Sequence, residues 1–379
     1  MHAFVLRKPE SRSITAAPPA NAGSYDLPTR QSGALLLPPT VTSVGEHALI
    51  ERITSRLAMP SWVVVGPGDD AAVLEHERGA LDVLTTDAQI ETVHFDRRFV
   101  PPAAIGHRAL AVNVSDLAAM GARPRAALLS LALPDELPIA VIDGLLDGIL
   151  VLAAAQRIVL VGGNITRSPG PMMIDVTATG SVRPRRILRR STARRGDEVY
   201  VTGTLGDAAA GLQQLRSDTP ALPRCIDRYL HPEPRVRVGM LLGSARAATA
   251  CIDLSDGLAD GAQQISRASG VGMTIDADAV PLDSATRAWF AARGTDPLAA
   301  AMAGGDDYEL LFTARPAHRG RLRGVRNTLG ALPITRIGVV TKEPGVRLRH
   351  ANGVITEVGG GYEHFRPPSA VTATAESRA

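Results

Sequence analysis

Predicted strands and helices alternate along both halves of the sequence, and this alternation limits the fold more than any other feature. Short segments rich in Val and Leu, most of them closed by Gly or Pro, predict strands at 62–65, 82–86, 126–133, 158–161, 172–181, 198–202, 251–254, 272–275 and 308–313. Helical periodicity falls between them, at 47–59, 103–120, 139–156 and 257–269. The sequence therefore predicts an α/β or α+β fold.

The chain of 379 residues is long enough for two domains, each with its own core. We place the boundary near residue 183, which gives an N-terminal α/β domain at 41–182 and a C-terminal α+β domain at 183–366. Residues 1–40 contain many Pro, Ser and Gly residues and are expected to form a disordered extension. Residues 367–379 are expected to form a flexible tail.

Composition excludes several classes of protein. The net charge is +3, and no basic stripe is interleaved with aromatic residues, so nucleic acid is not an expected partner. Cys225 and Cys251 lie far apart without a CxxC pattern, which argues against a disulfide framework or a zinc site and fits a reducing cytoplasm. The longest apolar stretch, 142–161, is interrupted by charged residues, so no membrane span is expected.

Aspartates recur at the ends of apolar runs or in Gly-rich turns. They are Asp69, Asp70, Asp87, Asp116, Asp253, Asp256 and Asp306. We expect several of them to converge on one crevice, where they would repel each other unless a cation lay between them. Carboxylate oxygens suit Mg²⁺, which is commonly held by a few carboxylates together with substrate phosphates. The pattern therefore indicates phosphoryl transfer.

Seven segments, in order between about residues 45 and 365, resemble thiamine-monophosphate kinase. They read GPGDDAA at 66–72, TDAQIETVHF at 86–95, ALAVNVSDLAAMGARP at 109–124, VTGTLGDAAAG at 201–211, IDLSDGL at 252–258, GGDDYELL at 304–311 and GYEHF at 361–365. Each is weak evidence alone, whereas the ordered set is specific. The resemblance implies an aminoimidazole ribonucleotide synthetase-like fold, in which the N-terminal domain pairs with its twofold mate through its sheet.

The resemblance also implies which residues contact several Mg²⁺ ions. They are Asp70, Thr85, Thr86, Asp87, Asp116, Asn164, Asp253 and Asp256. The plainer alternatives are a simple turn at Asp70, strand-favouring threonines at Thr85 and Thr86, and a helix cap at Asp253. Against them, we expect Asp70 to be fixed between buried segments, because an apolar run follows it. Asp116 inside a helix of small residues would be costly without a ligand.

For the two substrates, the resemblance implies ATP contacts at Arg190 and Ser255 and thiamine monophosphate contacts at His94, Asp306 and Tyr362. Each has an alternative. A solvated linker explains the basic run 183–195 equally well. Arg189, next to Arg190, is an alternative candidate for the ATP contact. A histidine beside a phenylalanine is more often a packed side chain, and Tyr362 reads nearly as well as a core aromatic.

Two positions depart from the family pattern. Asn164 stands in GGNITR where the family usually has the aspartate of GGDTTR, so a neutral oxygen replaces an anion at one predicted metal contact. Asp306 stands in GGDDYEL where the family usually has the glutamate of GGEDYEL, so the carboxylate reaches less far. We expect a weaker metal contact at the first position and an indirect substrate contact at the second.

The implied reaction is ATP-dependent phosphorylation of thiamine monophosphate to thiamine diphosphate, the last step of thiamine diphosphate biosynthesis, by a cytoplasmic homodimer. The sequence contains neither a GxxxxGK[ST] loop nor the HRD and DFG motifs of protein kinases. Charge would therefore be neutralised by Mg²⁺ and Arg190, without a general base. Two alternatives stay open: another ATP-using member of the superfamily, and a relative that binds metal or nucleotide without turnover.

Overall fold

The protein is described here from a computed structural model that covers residues 38–217 and 221–358. The predicted tail, Tyr362 and most of the predicted extension lie outside the described residues. The last residues of that extension already belong to the fold. The Pro39 carbonyl accepts a hydrogen bond from the Ile139 amide at 2.9 Å, and the Thr40 side chain caps the first helix.

The first half of the chain builds a four-stranded sheet and a separate two-stranded sheet. In the larger sheet the order is β3-β6-β4-β5, with β4 and β5 parallel and the other neighbours antiparallel; β1 pairs with β2. The elements are α1 (Val41–Val44), α2 (Glu46–Thr54), β1 (Val63–Val65), β2 (Val73–Leu74), β3 (Leu81–Ile90), α3 (Pro102–Ala119), β4 (Arg123–Leu133), α4 (Ile139–Gln156), β5 (Val159–Arg167) and β6 (Met173–Val182).

Helices α3 and α4 pack closely together over one face of the four-stranded sheet. A Cβ at Gly106 would lie 1.9 Å from the Leu145 carbonyl oxygen, and one at Gly148 would lie 1.8 Å from that of Ala103, so the contact requires glycine. Among the described helices, α4 is long and apolar enough to cross a membrane by length and composition, but 44% of it is buried here. Its packing on α3 is that of a core helix.

The opposite face of this sheet, which we call the open face, is not covered by any helix within residues 38–217 and 221–358. Leu84 on β3 is 69% exposed and Leu128 on β4 is 41% exposed. Thr86 and Thr177 lie on the same face, paired across β3 and β6. The two faces of one sheet therefore differ, one buried under α3 and α4 and the other carrying exposed apolar side chains.

The second half of the chain builds a seven-stranded sheet in the order β13-β12-β9-β11-β7-β10-β8. In this sheet β12 runs parallel to β9, and the other described pairs are antiparallel. The elements are β7 (Glu198–Thr202), α5 (Asp207–Ser217), α6 (Pro223–Leu230), α7 (Val236–Ala245), β8 (Ala250–Asp253), α8 (Leu258–Ser269), β9 (Gly272–Asp276), α9 (Ser284–Ala291), α10 (Pro297–Ala303), β10 (Leu310–Ala314), α11 (Arg319–Leu329), β11 (Ile334–Thr341), β12 (Gly345–Arg349) and β13 (Ile355–Glu357). Short 3₁₀ turns occur at Pro184–Arg186, Arg190–Thr192, Ala277–Ala279 and Pro316–His318.

Three predicted boundaries are wrong. The helix expected to end at Pro60 ends at Thr54, where the amides of the next turn bond back to Ile53 and Thr54. The strand expected at 82–86 runs on to Ile90, because β3 pairs with β6 along its whole length. Consequently Thr85, Thr86 and Asp87 lie inside a strand and not at its end. The strand expected to stop before Gly162 continues to Arg167.

Candidate active site

A cleft of about 990 Å³ opens where the edge strand β3 and helix α3 face the C-terminal domain. Asp87 comes from β3, Asp116 from α3, and Asp253 from the last residue of β8. We call these three the cleft carboxylates. Ser255 and Asp256 line the same cleft from the loop before α8, and the Ser255 hydroxyl donates to Asp256 Oδ2 at 3.0 Å. These five predicted site residues thus come together from β3, α3, β8 and the loop before α8, and two further predicted site residues that line the cleft are described below.

Asp116 is close enough to influence the ionisation of Asp87 and Asp253. Burial raises the pKa of Asp253, which is 5% exposed, and the charge of Asp116 raises it further. Burial, followed by the charges of Asp116 and Asp253, likewise raises the pKa of Asp87. Within the described residues, no three His, Cys, Asp or Glu side chains already form a group that could hold a metal ion. The cleft carboxylates therefore lie near each other, but their oxygens are not arranged around one metal position.

Hydroxyl groups donate hydrogen bonds to two of the three cleft carboxylates. Ser115 Oγ donates to Asp253 Oδ2 at 2.7 Å, and Thr85 Oγ1 donates to Asp116 Oδ2. Across residues 38–217 and 221–358, no ion pair joins an arginine to a cleft carboxylate. The positive charge of Arg190 partly opposes the rise of the Asp253 pKa. The site therefore carries an excess of negative charge.

Arg190 lies near this site but not in its wall. Its Nη1 donates to Gln264 Oε1 at 2.6 Å on α8, and Arg190 is the first residue of a 3₁₀ turn. The predicted ATP contact from Arg190 thus stays a prediction that needs its side chain to leave Gln264.

His94 lies in the wall of the cleft. Its Nδ1 accepts a hydrogen bond from the Ile90 amide at 3.0 Å, which closes the turn after β3. In that turn Thr92 has φ 71, a left-handed conformation that is costly for a β-branched residue. A strained turn therefore places His94 beside the cleft, as the substrate-binding prediction requires.

Asp306 lines the cleft, but it is already paired with Arg108, a residue that the sequence analysis missed. Arg108 Nη2 donates to Asp306 Oδ1 at 2.8 Å, and the Tyr308 hydroxyl donates to the same oxygen at 3.1 Å. The Arg108 guanidinium also lies 4.2 Å from the centre of the Tyr229 ring. The available signal was the spacing on α3, because Arg108, Val112 and Asp116 recur every fourth residue on one helical face.

Several of the predicted acidic residues line this cleft, but three of the predicted metal contacts lie elsewhere in the chain. Asp70 and Asn164 are exposed and line a second cavity of about 450 Å³ on the open face. Thr86 also points to that face, where its hydroxyl donates to Asp175 Oδ1 at 3.1 Å. The reason is the alternation of a strand, which turns Thr86 away from its neighbour Asp87.

The expectation that Asp70 is fixed between buried segments is wrong. Val73, three residues later, is 49% exposed, because β1 and β2 form a small sheet of their own. The local contact of Asp70 is with its neighbour, since the Asp70 amide donates to Asp69 Oδ1 at 2.9 Å. This is the turn geometry of the plainer alternative, although it leaves the Asp70 carboxylate exposed at the second cavity.

Comparisons with known proteins agree with this architecture. Residues 68–182 match the family model for the N-terminal domain of AIR synthase related proteins, and residues 194–351 match the C-terminal domain. A thiamine-monophosphate kinase from Salmonella typhimurium is 37% identical over 334 residues, which cover 86% of this chain and 99% of that one. The chain belongs to the thiamine-monophosphate kinase family. The predicted family and the predicted fold class are confirmed.

Two solved structures support the same assignment. The thiamine-monophosphate kinase of Stenotrophomonas maltophilia K279a has a TM-score of 0.72 and 38% identity, with 82% of this chain and 96% of that chain covered. The complex of AaThiL with AMPPCP and TMP has a TM-score of 0.68 and 32% identity, with 88% of this chain and 100% of that chain covered. The matches span nearly the whole of each relative, so both domains of a family kinase are present.

Proposed function

We propose that this protein transfers a phosphoryl group from ATP to thiamine monophosphate, giving thiamine diphosphate and ADP in the last step of thiamine diphosphate biosynthesis. The group of cleft carboxylates carries the proposal, because acids that no described arginine neutralises can hold the metal ions that bind phosphates in a phosphoryl-transfer site. Further support comes from the AaThiL complex, which holds AMPPCP and TMP together in a family member.

We further propose that several Mg²⁺ ions bind at this site. The residues fit that metal, since Asp87, Asp116, Asp253 and Asp256 offer only oxygen donors and the first three gain from a divalent cation that relieves their repulsion. When bound, Mg²⁺ would neutralise charge on the ATP phosphates and the acceptor phosphate. Thr85 is proposed as a further oxygen ligand. Asp70, Thr86 and Asn164 stay proposed ligands, at the open face.

The residues of the chain itself would bind and orient. Ser115 and Thr85 fix the direction of two cleft carboxylates through their hydroxyl groups. Ser255 and Arg190 are proposed to contact ATP, and His94, Asp306 and Tyr362 are proposed to contact the acceptor. The phosphate of the acceptor is already a nucleophile near neutral pH, so the site needs no general base. Catalysis would come from position and electrostatics.

We propose that two copies of the chain pair through the open face, in the cytoplasm. Leu84 and Leu128 expose apolar surface on that face, and a homodimer would bury it. A Leu84→Glu variant should elute as a monomer in light-scattering chromatography, whereas exchanging the exposed Val151 of α4 for Glu should not change the mass. A dimeric Leu84→Glu variant would contradict this assignment of the interface.

The test of the reaction is ADP release from ATP with thiamine monophosphate, with thiamine, and with no acceptor, together with identification of the product. Thiamine monophosphate should give thiamine diphosphate. Thiamine should give almost no ADP, because it lacks the anion and its hydroxyl would need a general base. ADP release without any acceptor would point to a different reaction, and no ADP release at all would point to a relative that only binds.

A further inference from the structure

Arg108 is a buried cation in the wall of the cleft, on a helix made mostly of small and apolar residues. It is 2% exposed, and its Nη1 donates to the Tyr229 carbonyl oxygen at 2.5 Å while Nη2 holds Asp306. Its Nε is buried without a hydrogen-bond partner in the described structure. A buried donor without an acceptor costs free energy, so packing alone does not account for an arginine here.

The partner of Arg108 belongs to an unusual stretch of backbone. Asp306 has φ 67 and Tyr308 has φ 49, and both conformations are unfavourable for residues other than glycine. The stretch is fastened to the loop before α8, since the Asp306 amide donates to the Ser255 carbonyl oxygen at 2.7 Å and the Tyr308 amide donates to that of Leu254 at 3.0 Å. Movement of Asp306 would therefore also move the loop that carries Ser255.

Helix α3 holds these C-terminal segments at two points. One is the pair of Arg108 with Asp306, and the other is the hydrogen bond from Ser115 to Asp253. Arg108 also balances the Asp306 charge in a site that is already rich in carboxylates. Without Arg108, the Asp306 carboxylate would lie unpaired in the wall of the cleft and would repel a phosphate that enters it.

We propose that Arg108 is a positioning residue for the acceptor phosphate: by holding and neutralising Asp306, it keeps one wall of the cleft favourable for a phosphate monoester. The inference rests on the proposed function and names a residue that sets how well the acceptor binds. Arg108 acts through Asp306 and not by donating to the substrate. Its removal should therefore change acceptor binding more than ATP binding.

The first test compares Arg108→Met with the natural protein in steady-state kinetics. The KM for thiamine monophosphate should rise about tenfold or more, while the KM for ATP changes little, because the loss of a charged hydrogen-bonded partner leaves an unpaired anion in the wall. Adding Asp306→Asn to Arg108→Met should recover much of this loss, since the unpaired anion is then gone. A KM for thiamine monophosphate equal to that of the natural protein would overturn the proposal.

Arg319→Met is the matched control. Arg319 Nε donates to the buried carboxylate of Glu198 at 2.9 Å, and neither residue lines the cleft. This variant should lower the melting temperature without raising the KM for thiamine monophosphate. If the natural protein forms no thiamine diphosphate, the proposed function fails; if it does and Arg108→Met binds the acceptor normally, only the present inference fails.

Arg108→Lys keeps the test decisive if Arg108→Met does not fold. Lysine retains the charge but cannot reach Asp306 and the Tyr229 carbonyl together, so the KM for thiamine monophosphate should still rise, by a smaller factor. Calorimetric binding adds a second readout. Thiamine monophosphate should lose more affinity than thiamine in either variant, because the unpaired Asp306 carboxylate repels the phosphate group, which thiamine lacks. Equal losses for the two ligands, or an unchanged KM in Arg108→Lys, would overturn the proposal.

Discussion

The negative charges of Glu309 and of the cleft carboxylates are treated in opposite ways by the residues around them. Glu309 is fully buried, and Arg235 Nε donates to its Oε2 at 2.7 Å while Arg228 Nη2 donates to its Oε1 at 2.7 Å. The Thr202 hydroxyl donates to it as well. Among the described residues, no arginine forms an ion pair with a cleft carboxylate, and hydroxyl groups donate to two of the three.

The difference separates a structural acid from a functional one. The charge of Glu309 is balanced inside the protein, so removing that charge takes from Arg235 and Arg228 the carboxylate that they share. Among the described residues no arginine balances the charges of the cleft carboxylates, and burial together with the charge of Asp116 raises the pKa of Asp87 and of Asp253. Removing one of them relieves repulsion in the metal-free protein but removes a ligand from the proposed metal site.

The largest expected effect is on turnover. Asp116→Asn should lower kcat by about 1,000-fold, because metal-based charge neutralisation is worth several kcal/mol in the transition state. The melting temperature without metal should stay the same or rise, since one repelling charge is gone. Asp147→Asn, on the exposed side of α4, is the control and should keep full activity. Near-normal turnover of Asp116→Asn at saturating Mg²⁺ would remove Asp116 from the metal site.

Glu309→Gln should show the reverse pattern. The free energy of unfolding should fall by about 3 kcal/mol, because breaking a buried ion pair leaves charges without a partner. The Mg²⁺ concentration for half-maximal rate in the folded fraction should not change. Chemical denaturation gives the first quantity and kinetics the second. A variant as stable as the natural protein would mean that Arg228 and Arg235 are satisfied without Glu309.

The smallest expected effect concerns the open face. Asn164→Asp should lower the Mg²⁺ concentration for half-maximal rate by about threefold, because a charged oxygen binds a cation more strongly than a neutral one. Asn164→Ser is the matched control and should not lower it. An unchanged Mg²⁺ dependence in Asn164→Asp would mean that the open face takes no part in metal binding.

Local pattern was enough to predict much of the fold. The limits of α4 and β7 are those read from periodicity, because their apolar residues repeat along a short stretch of chain. Pairing between distant residues was not accessible in this way. The full length of β3 depends on its register with β6, and Arg108 meets Asp306 across 198 residues. Neither of these contacts can be read from a local sequence pattern.

The candidate site shows the same limit. The motifs predicted acidic site residues, and one cleft is lined by Asp87, Asp116, Asp253, Asp256 and Asp306. Strand alternation could have separated Thr86 from its neighbours, since every second residue of β3 faces the same side. Nothing local indicated that Asp306 would already be neutralised. That contact depends on how the two domains pack.

The most direct measurement is a Mg²⁺ titration of the melting temperature in the natural protein, Asp116→Asn and Glu309→Gln. If the cleft carboxylates bind a divalent cation, Mg²⁺ should raise the melting temperature of the natural protein. It should raise the melting temperature of Glu309→Gln by a similar amount. In Asp116→Asn the rise should be lost or much smaller. An equal rise in all three proteins would contradict a metal site built on the cleft carboxylates.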